Sequence, residues 1–550
     1  MNNNSQRKDH CNAEDPKATR RASSNKNSNK RPPKTNDRND RRGGTSRTND
    51  VSWYSHYPQL LTDAGQVMFS YPTGSSFTLS QLAPSSGDID SEAGNGAFGY
   101  AHSLPGIMTF RTVPGIGYTD GSVSAPVNVA ARNIYTYVRH QNSGSANYNT
   151  PDLMIYLLAM DSVYYWLSHL RRAYGVAMTW SPTNRYVPRM LLYALGFNAD
   201  DIIQNLAQFR YYINYYTAQA QALCVPATFD LYKRHSWLFD GTYIDSASNK
   251  AQLYAFIPAG YRVYKPTTET TGGSLAWTSV IPYSQMTVSQ AIAPLNTMLN
   301  ALLQDEDTGI MSGDILKAFQ GNIYKQEPIA DSYAILPAYD PIVLTQIQNL
   351  TCTGANVNSV NEPSANDIKQ ANNLISYQPT TKGVTCAAFA GAHILTAPLD
   401  KVEPALLMEM TRLTSMTSAY AGIAMSDTPL TCIGTEHVEN AYVTQFKYND
   451  DGTQMISMNP FTSELTSTTG EVSAQTFSLL NVDKLAQISD FDWHPIIYLV
   501  VMNQGSTSTT PGIRHIFGDI RNMTVASIET MKRLHDTALL SLFDTPLAGR

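Results

Sequence analysis

From residue 149 onward, apolar positions recur at helical spacing in long stretches that end at Gly, Pro or Asn. The first opens at Asn149 or Thr150, with Thr150 read as N-cap, Pro151 as the first helical residue and Asp152 placed favourably for the helix dipole. It runs to about Tyr174, before Gly175. Its centre, 153–170, is nearly continuous in apolar residues, is interrupted by Asp161 and His169, and is followed by Arg171 and Arg172. That pattern predicts a helix buried on all sides in a soluble protein, not a membrane span. A second helix is predicted over 188–195, stopped by Gly196. Asn198 then caps a longer one that has Asp200 and Asp201 in its first turn and Ile202, Leu206, Phe209, Ile213 and Tyr216 on one face. Further helices are predicted at 286–303, 314–320, 401–418 (with Asp400 and Glu403 spaced as a capping box) and 526–543. Alternation predicts strands at 442–448 and 454–458, joined by a turn at Asp451-Gly452, and at 496–502. Residues 51–130, rich in Gly, Pro and Ser, read as irregular chain with a few strands draped over something larger. The Thr/Asn/Ala-rich stretch 350–395 shows no clear period. The whole is mainly α with additional β, an α+β class.

Charge divides the chain more sharply than hydropathy does. Residues 1–50 hold 13 basic and 6 acidic side chains, a net of +7, and their only apolar residues are Met1, Cys11, Ala13, Ala18 and Ala22. Such a segment cannot bury a core and is expected to be disordered. The other 500 residues hold 26 basic and 39 acidic side chains, a net of −13, which is about half the usual density of charge. They also hold all 32 Tyr, 17 Phe and 6 Trp. Interface cores are depleted in charge and enriched in aromatics, so this body is expected to face other protein over much of its surface and to be an obligate oligomer. A Ser/Thr-rich globular protein is the plainer alternative.

Motifs for chemistry are few. The five cysteines, at 11, 224, 352, 386 and 432, are odd in number and widely spaced, which argues against a disulfide framework or a zinc ribbon and suits reduced thiols. Gly94-x-Gly96-x-x-Gly99 matches the dinucleotide fingerprint, but Pro84-Ser85-Ser86-Gly87-Asp88 before it is a loop and Leu104-Pro105-Gly106 after it closes any helix, so a turn is expected. Asp305-Glu306-Asp307-Thr308-Gly309 lacks the Gly and Glu that a calcium loop needs at its sixth and twelfth positions and reads as a solvated acidic turn. Cys432, Glu436 and His437 lie at a possible metal spacing without a second pair, and His535 falls on the apolar face of the last helix as a hydrogen-bonded core residue. Asn349-Leu350-Thr351 and Asn522-Met523-Thr524 match the glycosylation sequon and, with no apolar signal core at the N-terminus, are expected to go unused. Walker, Gly-x-Ser-x-Gly, His-Glu-x-x-His and Gly-Asp-Asp strings do not occur. No cofactor, metal site or catalytic residue is expected.

The chemistry that does stand out is cationic. Arg7, Lys8, Lys17, Arg20, Arg21, Lys26, Lys30, Arg31, Lys34, Arg38, Arg41, Arg42 and Arg47 are strung along the first 50 residues with no Phe, Tyr or Trp among them. Such an arm can follow a phosphate backbone and release counterions without reading bases. As a flexible coil it spans about 40 Å in root mean square. An import signal at Lys30-Arg31-Pro32-Pro33-Lys34, or a merely solvated tail, is the alternative. The junction from Gly43 to Asp50 is where the arm would be shed by proteolysis or self-cleavage.

Specific strings then suggest a family. They begin with Asn49-Asp50-Val51-Ser52-Trp53-Tyr54 and Tyr57-Pro58. Ile134-Tyr135-Thr136-Tyr137-Val138-Arg139-His140 follows, with Asn142-Ser143-Gly144 and Ala146-Asn147-Tyr148. Next come Asp152-Leu153-Met154, Tyr156-Leu157-Leu158-Ala159-Met160-Asp161-Ser162, and Asp305-Glu306-Asp307 with Gly309-Ile310-Met311-Ser312-Gly313-Asp314. Leu336-Pro337 with Tyr339-Asp340-Pro341, and Phe491-Asp492-Trp493 with Pro495, complete the set. In these segments the chain resembles picobirnavirus capsid proteins, from the tail to the last helix, most vaguely around 350–395. The resemblance implies a helical shell domain formed by 51–245 and 400–550, whose extended N-terminal part is exchanged within dimers. It also implies a projecting domain over 246–399 and an internal basic arm over 1–50. The dimers would tile an icosahedral shell around double-stranded RNA, assembled in the host cytoplasm and carried in the virion, with a host membrane or receptor met on entry. The competing function is a soluble nucleic-acid-binding scaffold or enzyme with a basic tail.

Overall fold

A computed structural model of the chain describes residues 58–59, 62, 76–79, 100–103, 106–144, 146–179, 187–246, 251–268, 271–281, 285–354, 365–381, 389–398, 402–418, 428–448, 454–467, 485–501 and 512–546. Met1–Ser70 and Tyr71–Arg550 are separate units. In the first, the described residues include Thr62, whose hydroxyl donates to the Pro58 carbonyl at 3.2 Å. The second is an α+β body.

Its helices are α1 (Pro126–Gln141), α2 (Thr150–Ala177), α3 (Val187–Ala194), α4 (Ala199–Gln204), α5 (Leu206–Ala220), α6 (Asp230–Asp240), α7 (Val288–Leu303), α8 (Glu306–Ala318), α9 (Pro341–Asn349), α10 (Pro404–Met410) and α11 (Ile528–Leu542). The central element is α2, with 24 of its 28 residues buried. Asn149, not Thr150, is its N-cap: the Asn149 side chain accepts from the Asp152 amide and Asp152 accepts in return from the Asn149 amide. The helix also runs through Gly175 rather than stopping before it. A Cβ at Gly175 would lie 2.7 Å from Ile335, whose amide donates to the Gly175 carbonyl, so this glycine admits a neighbouring strand of chain instead of ending the helix. Gly196 does terminate α3, at φ +92°, and Asn198 caps α4 as expected, but Asn205 divides the predicted long helix into α4 and α5.

Two other sequence readings are corrected. The acidic string 305–307 is the start of a helix: Asp305 caps α8, and Glu306 and Asp307 fill its first turn. Glycines at 309 and 313 disguise a helix whose Thr308, Met311, Ser312, Ile315 and Ala318 are buried at helical spacing. In place of a helix over 401–418, α10 spans seven residues and a buried loop follows it. There Thr414 donates to the Asn349 carbonyl and Thr351 to the Ser415 carbonyl, and such hydroxyl-to-backbone bonds compete with helix. Asp400 and the turn at 451–452 lie outside the described residues, as do Gly94, Gly96 and Gly99.

The main sheet contains six strands, β1 (Ile107–Pro114), β2 (Tyr243–Ile244), β3 (Leu253–Pro258), β4 (Ala338–Tyr339), β5 (Glu436–Tyr448) and β6 (Gln454–Phe461), in the order β6-β5-β1-β3-β2-β4. β1 comes from the stretch read as irregular chain with a few draped strands; it is such a strand, but it is buried along its whole length, pairing parallel with β3 and antiparallel with β5. A bulge between Val438 and Asn440 frees Glu439 to meet Arg111 Nε at 2.7 Å. A four-stranded sheet built from 260–376, a three-stranded one from 464–517 and two two-stranded ones, pairing Ser76–Leu79 with Tyr100–Ser103 and 392–396 with 523–527, complete the sheets among the described residues. One apolar cluster extends from Ile107 to Phe543 and includes residues of β1, β3 and β5 and of α1 to α9.

Candidate functional site

All thirteen arm cations, Arg7 to Arg47, lie outside the described residues, so the body's own chemistry has to be read from what its side chains do. Much of that chemistry is internal. Tyr156 donates to the Cys224 carbonyl, Tyr165 to Gly260, Tyr232 to Leu157, and Trp166 Nε1 to Ala291, all at 2.9–3.1 Å. Tyrosine richness, read from composition as a surface property, is therefore in good part a core property: Tyr156, Tyr164, Tyr165, Tyr232, Tyr254, Tyr377, Tyr442 and Tyr498 are each under 2% exposed.

Charges are also brought inside. His235 on α6 lies between α2 and the start of β5, its Nδ1 2.7 Å from Asp161 Oδ2 and its Nε2 3.0 Å from the Thr435 carbonyl. Glu436 accepts from Arg234 Nε at 2.8 Å and lies 3.7 Å from His235 Nε2. Burial would push the His235 proton affinity down, but the charge and hydrogen bond of Asp161, then Glu436, outweigh it and hold it above the usual value. Burial would raise Glu436, and the charges of Arg234 and His235 reverse that and hold it low. Asp161 and His235 have the outline of two-thirds of a hydrolytic triad. With Nε2 given to a backbone carbonyl and the ring fully buried, however, no nitrogen is open to activate a nucleophile. His235 was not singled out by sequence; it occupies a core position between Leu231 and Leu238-Phe239, and that placement of a titratable residue on an apolar face was the available signal.

The residues that the sequence did single out fall in different places. His535 is buried, with its Nε2 3.0 Å from the Thr414 carbonyl, and burial and Arg412 push it down to about 3. His437 is likewise pushed down to about 4 by burial. Cys432 packs with Met416 and Met531 in a small apolar cluster, apart from the ion pair that engages Glu436. No group of His, Cys, Asp and Glu among the described residues is arranged to hold a metal ion, and no described helix is long and apolar enough to cross a membrane. Asn349 of the first sequon is buried, its amide donating to Thr345 and Thr396 and accepting from the Thr396 amide.

Two surface features remain. Tyr211 and Tyr215 on α5 are 64% and 45% exposed and stacked with ring centroids 6.3 Å apart. A groove of about 660 Å³ lies among α6, α9, α10 and α11, lined by Trp237, Ile342, Met408 and Leu542 with Arg234 and Arg412. Arg234 stacks on Trp237 at 4.9 Å. Exposed aromatic and apolar side chains gathered in this way suit contact with protein.

Comparison with known proteins agrees over most of the chain. A family profile described as "Picobirnavirus, Capsid protein" matches residues 53–507. A capsid protein precursor of human picobirnavirus (strain Human/Thailand/Hy005102/-) is 31% identical over 531 residues, covering 92% of each chain. A solved structure, "X-ray crystallographic structure of the picobirnavirus capsid", aligns with a TM-score of 0.73 at 24% identity, covering 90% of this chain and 98% of that one.

Proposed function

The chain belongs to the picobirnavirus capsid protein family and is a structural protein of the virion; from that premise we propose that it self-assembles as dimers into an icosahedral shell around double-stranded RNA. The observation that carries the reading is the split of charge. A +7 arm of 50 residues precedes a −13 body, some of whose described charges pair in its interior. The body is suited to neighbours of its own kind through faces such as the Tyr211–Tyr215 ladder, and the arm to an enclosed polyanion.

Each arm grips weakly because six carboxylates, Asp9, Glu14, Asp15, Asp37, Asp40 and Asp50, moderate its thirteen cations. Retention comes from many arms acting on one polymer. A division into shell (51–245 and 400–550) and projecting part (246–399) belongs to the same reading. Because β3 lies inside the six-stranded sheet, a projecting part would share the shell's core. Release of the arm between Gly43 and Asp50 is a further element, supported by the exposed-junction composition there and by the word "precursor" in the human relative's name. Assembly takes place in the host cytoplasm.

The test is expression of the full chain and of one lacking residues 1–50. Closed particles from both, with RNA chiefly in the first, support the reading. A stable folded monomer of the full chain at sub-micromolar concentration overturns self-assembly.

A further inference from the structure

A neutral imidazole carries one N–H, so it can satisfy only one of two hydrogen-bond acceptors. His235 faces an acceptor at each nitrogen: the Asp161 carboxylate at 2.7 Å and the Thr435 carbonyl at 3.0 Å. Asp161 Oδ1 has no hydrogen-bond partner among the described residues, so an imidazolium is what balances this buried carboxylate. The three partners come from α2, α6 and the entry to β5, the place where the helical layer is joined to the main sheet. We propose that His235 is a proton-operated lock on this joint, closed while the ring is doubly protonated and loosened when rising pH removes a proton.

The groups around the ring agree with this role. From α2 come Asp161 and Tyr165, the latter edge-on at 6.5 Å; from α6, Tyr232 and Arg234; from β5, Glu436. Arg412, from the loop after α10, and His535, from α11, also feel the charge of Glu436. Two carboxylates thus meet the cations of His235 and Arg234. Loss of the His235 proton leaves Asp161 charged and buried and sets a nitrogen lone pair against the Thr435 carbonyl. Among the described buried histidines, His235 is the one whose proton is held more tightly than usual; His393 and His437 are both pushed down to about 4, and His169 is lowered too.

Because the folded chain holds the His235 proton above the unfolded value, its stabilisation is complete below about pH 6.5 and is lost as pH rises through the higher folded value. Glu436 acts with the opposite sign: held low, it stabilises above its unfolded value and fails only as pH falls through its lower folded one. The lock is therefore closed in mild acid and opens toward alkali.

The experiment is denaturant unfolding of the full-length chain from about pH 6 to about pH 9, alongside His235→Gln and Asp161→Asn. The wild-type unfolding constant is expected to rise by up to about tenfold per pH unit between about pH 6.5, the unfolded value, and the higher folded value of His235, and to level off above it. Both variants should be weaker in mild acid and lose that extra slope, converging on the wild type in alkali. A His235→Gln curve parallel to the wild type, at a constant offset, overturns the lock and leaves His235 a packing residue. If the variants do not fold, ¹⁵N-histidine NMR of the wild-type chain decides: a buried ring that keeps both protons to a higher pH than a free imidazole supports the lock, and rings that all lose a proton at or below the free value overturn it.

Discussion

Along residues 1–50, thirteen cations are strung on a segment without Phe, Tyr or Trp, whereas the body has few charges for its length and buries several of them. Arg111 meets Glu439, Arg234 meets Glu436, and Arg262, 3% exposed, donates to the Pro114 and Asn366 carbonyls between the rings of Trp277 and Tyr377. The difference teaches that the same residue types serve opposite ends here: in the body they fix how helices meet sheet, and in the arm they stay available to a polyanion. A surface poor in charge joins copies more readily than it repels them, and an arm rich in it holds what the copies enclose.

The contrast breaks most severely from the inside. Glu436→Gln removes the buried carboxylate between half-buried Arg234 and buried His235 and is expected to lower stability by about 3–5 kcal/mol, read from urea unfolding. An effect below about 1 kcal/mol would mean that these interior charges do not fix the joint. Leu157→Ala on α2 should cost about 2–5 kcal/mol by leaving a cavity in the same core.

On the outside, replacing Tyr211 and Tyr215 together by Ser should change stability by no more than about 0.5 kcal/mol while reducing particle yield. Unchanged yield, by sedimentation, would remove the tyrosine ladder from the assembly surface. The smallest effect belongs to the arm. Arg41→Ala with Arg42→Ala should leave the body's unfolding untouched and reduce the salt dependence of RNA binding by about one per cation removed. A loss confined to one RNA sequence would instead mean that these arginines read bases.

How much of this was legible in the sequence varied by region for physical reasons. α2 could be read because continuous burial leaves a continuous apolar string, and α4 because Asn198 and its two following aspartates mark a start. The first part of α8, ahead of the helix predicted from 314, was hidden by two glycines that ordinarily break helices, and β1 by turn-rich flanks around a strand whose Thr109, Arg111 and Thr112 are polar yet buried. Arg111 is tolerated there because a bulge on β5, remote in sequence, delivers Glu439, and because the Val280 carbonyl accepts from its other end. The His235 joint was illegible for the same reason: Asp161, His235 and Glu436 are separated by 74 and 201 positions, and only the fold brings them together. The family resemblance, carried by whole strings instead of by periodicity, agrees with the relatives found.

The most direct measurement of the central claim is the RNA content of purified particles, by absorbance ratio and extraction, for the full chain against one lacking residues 1–50. Closed shells in both, with RNA largely lost from the shortened chain and no preference among RNA sequences in the full one, is the result expected of an arm that holds a polyanion inside a charge-poor container. Equal RNA in both would contradict it and leave the arm a passive tail or an import signal.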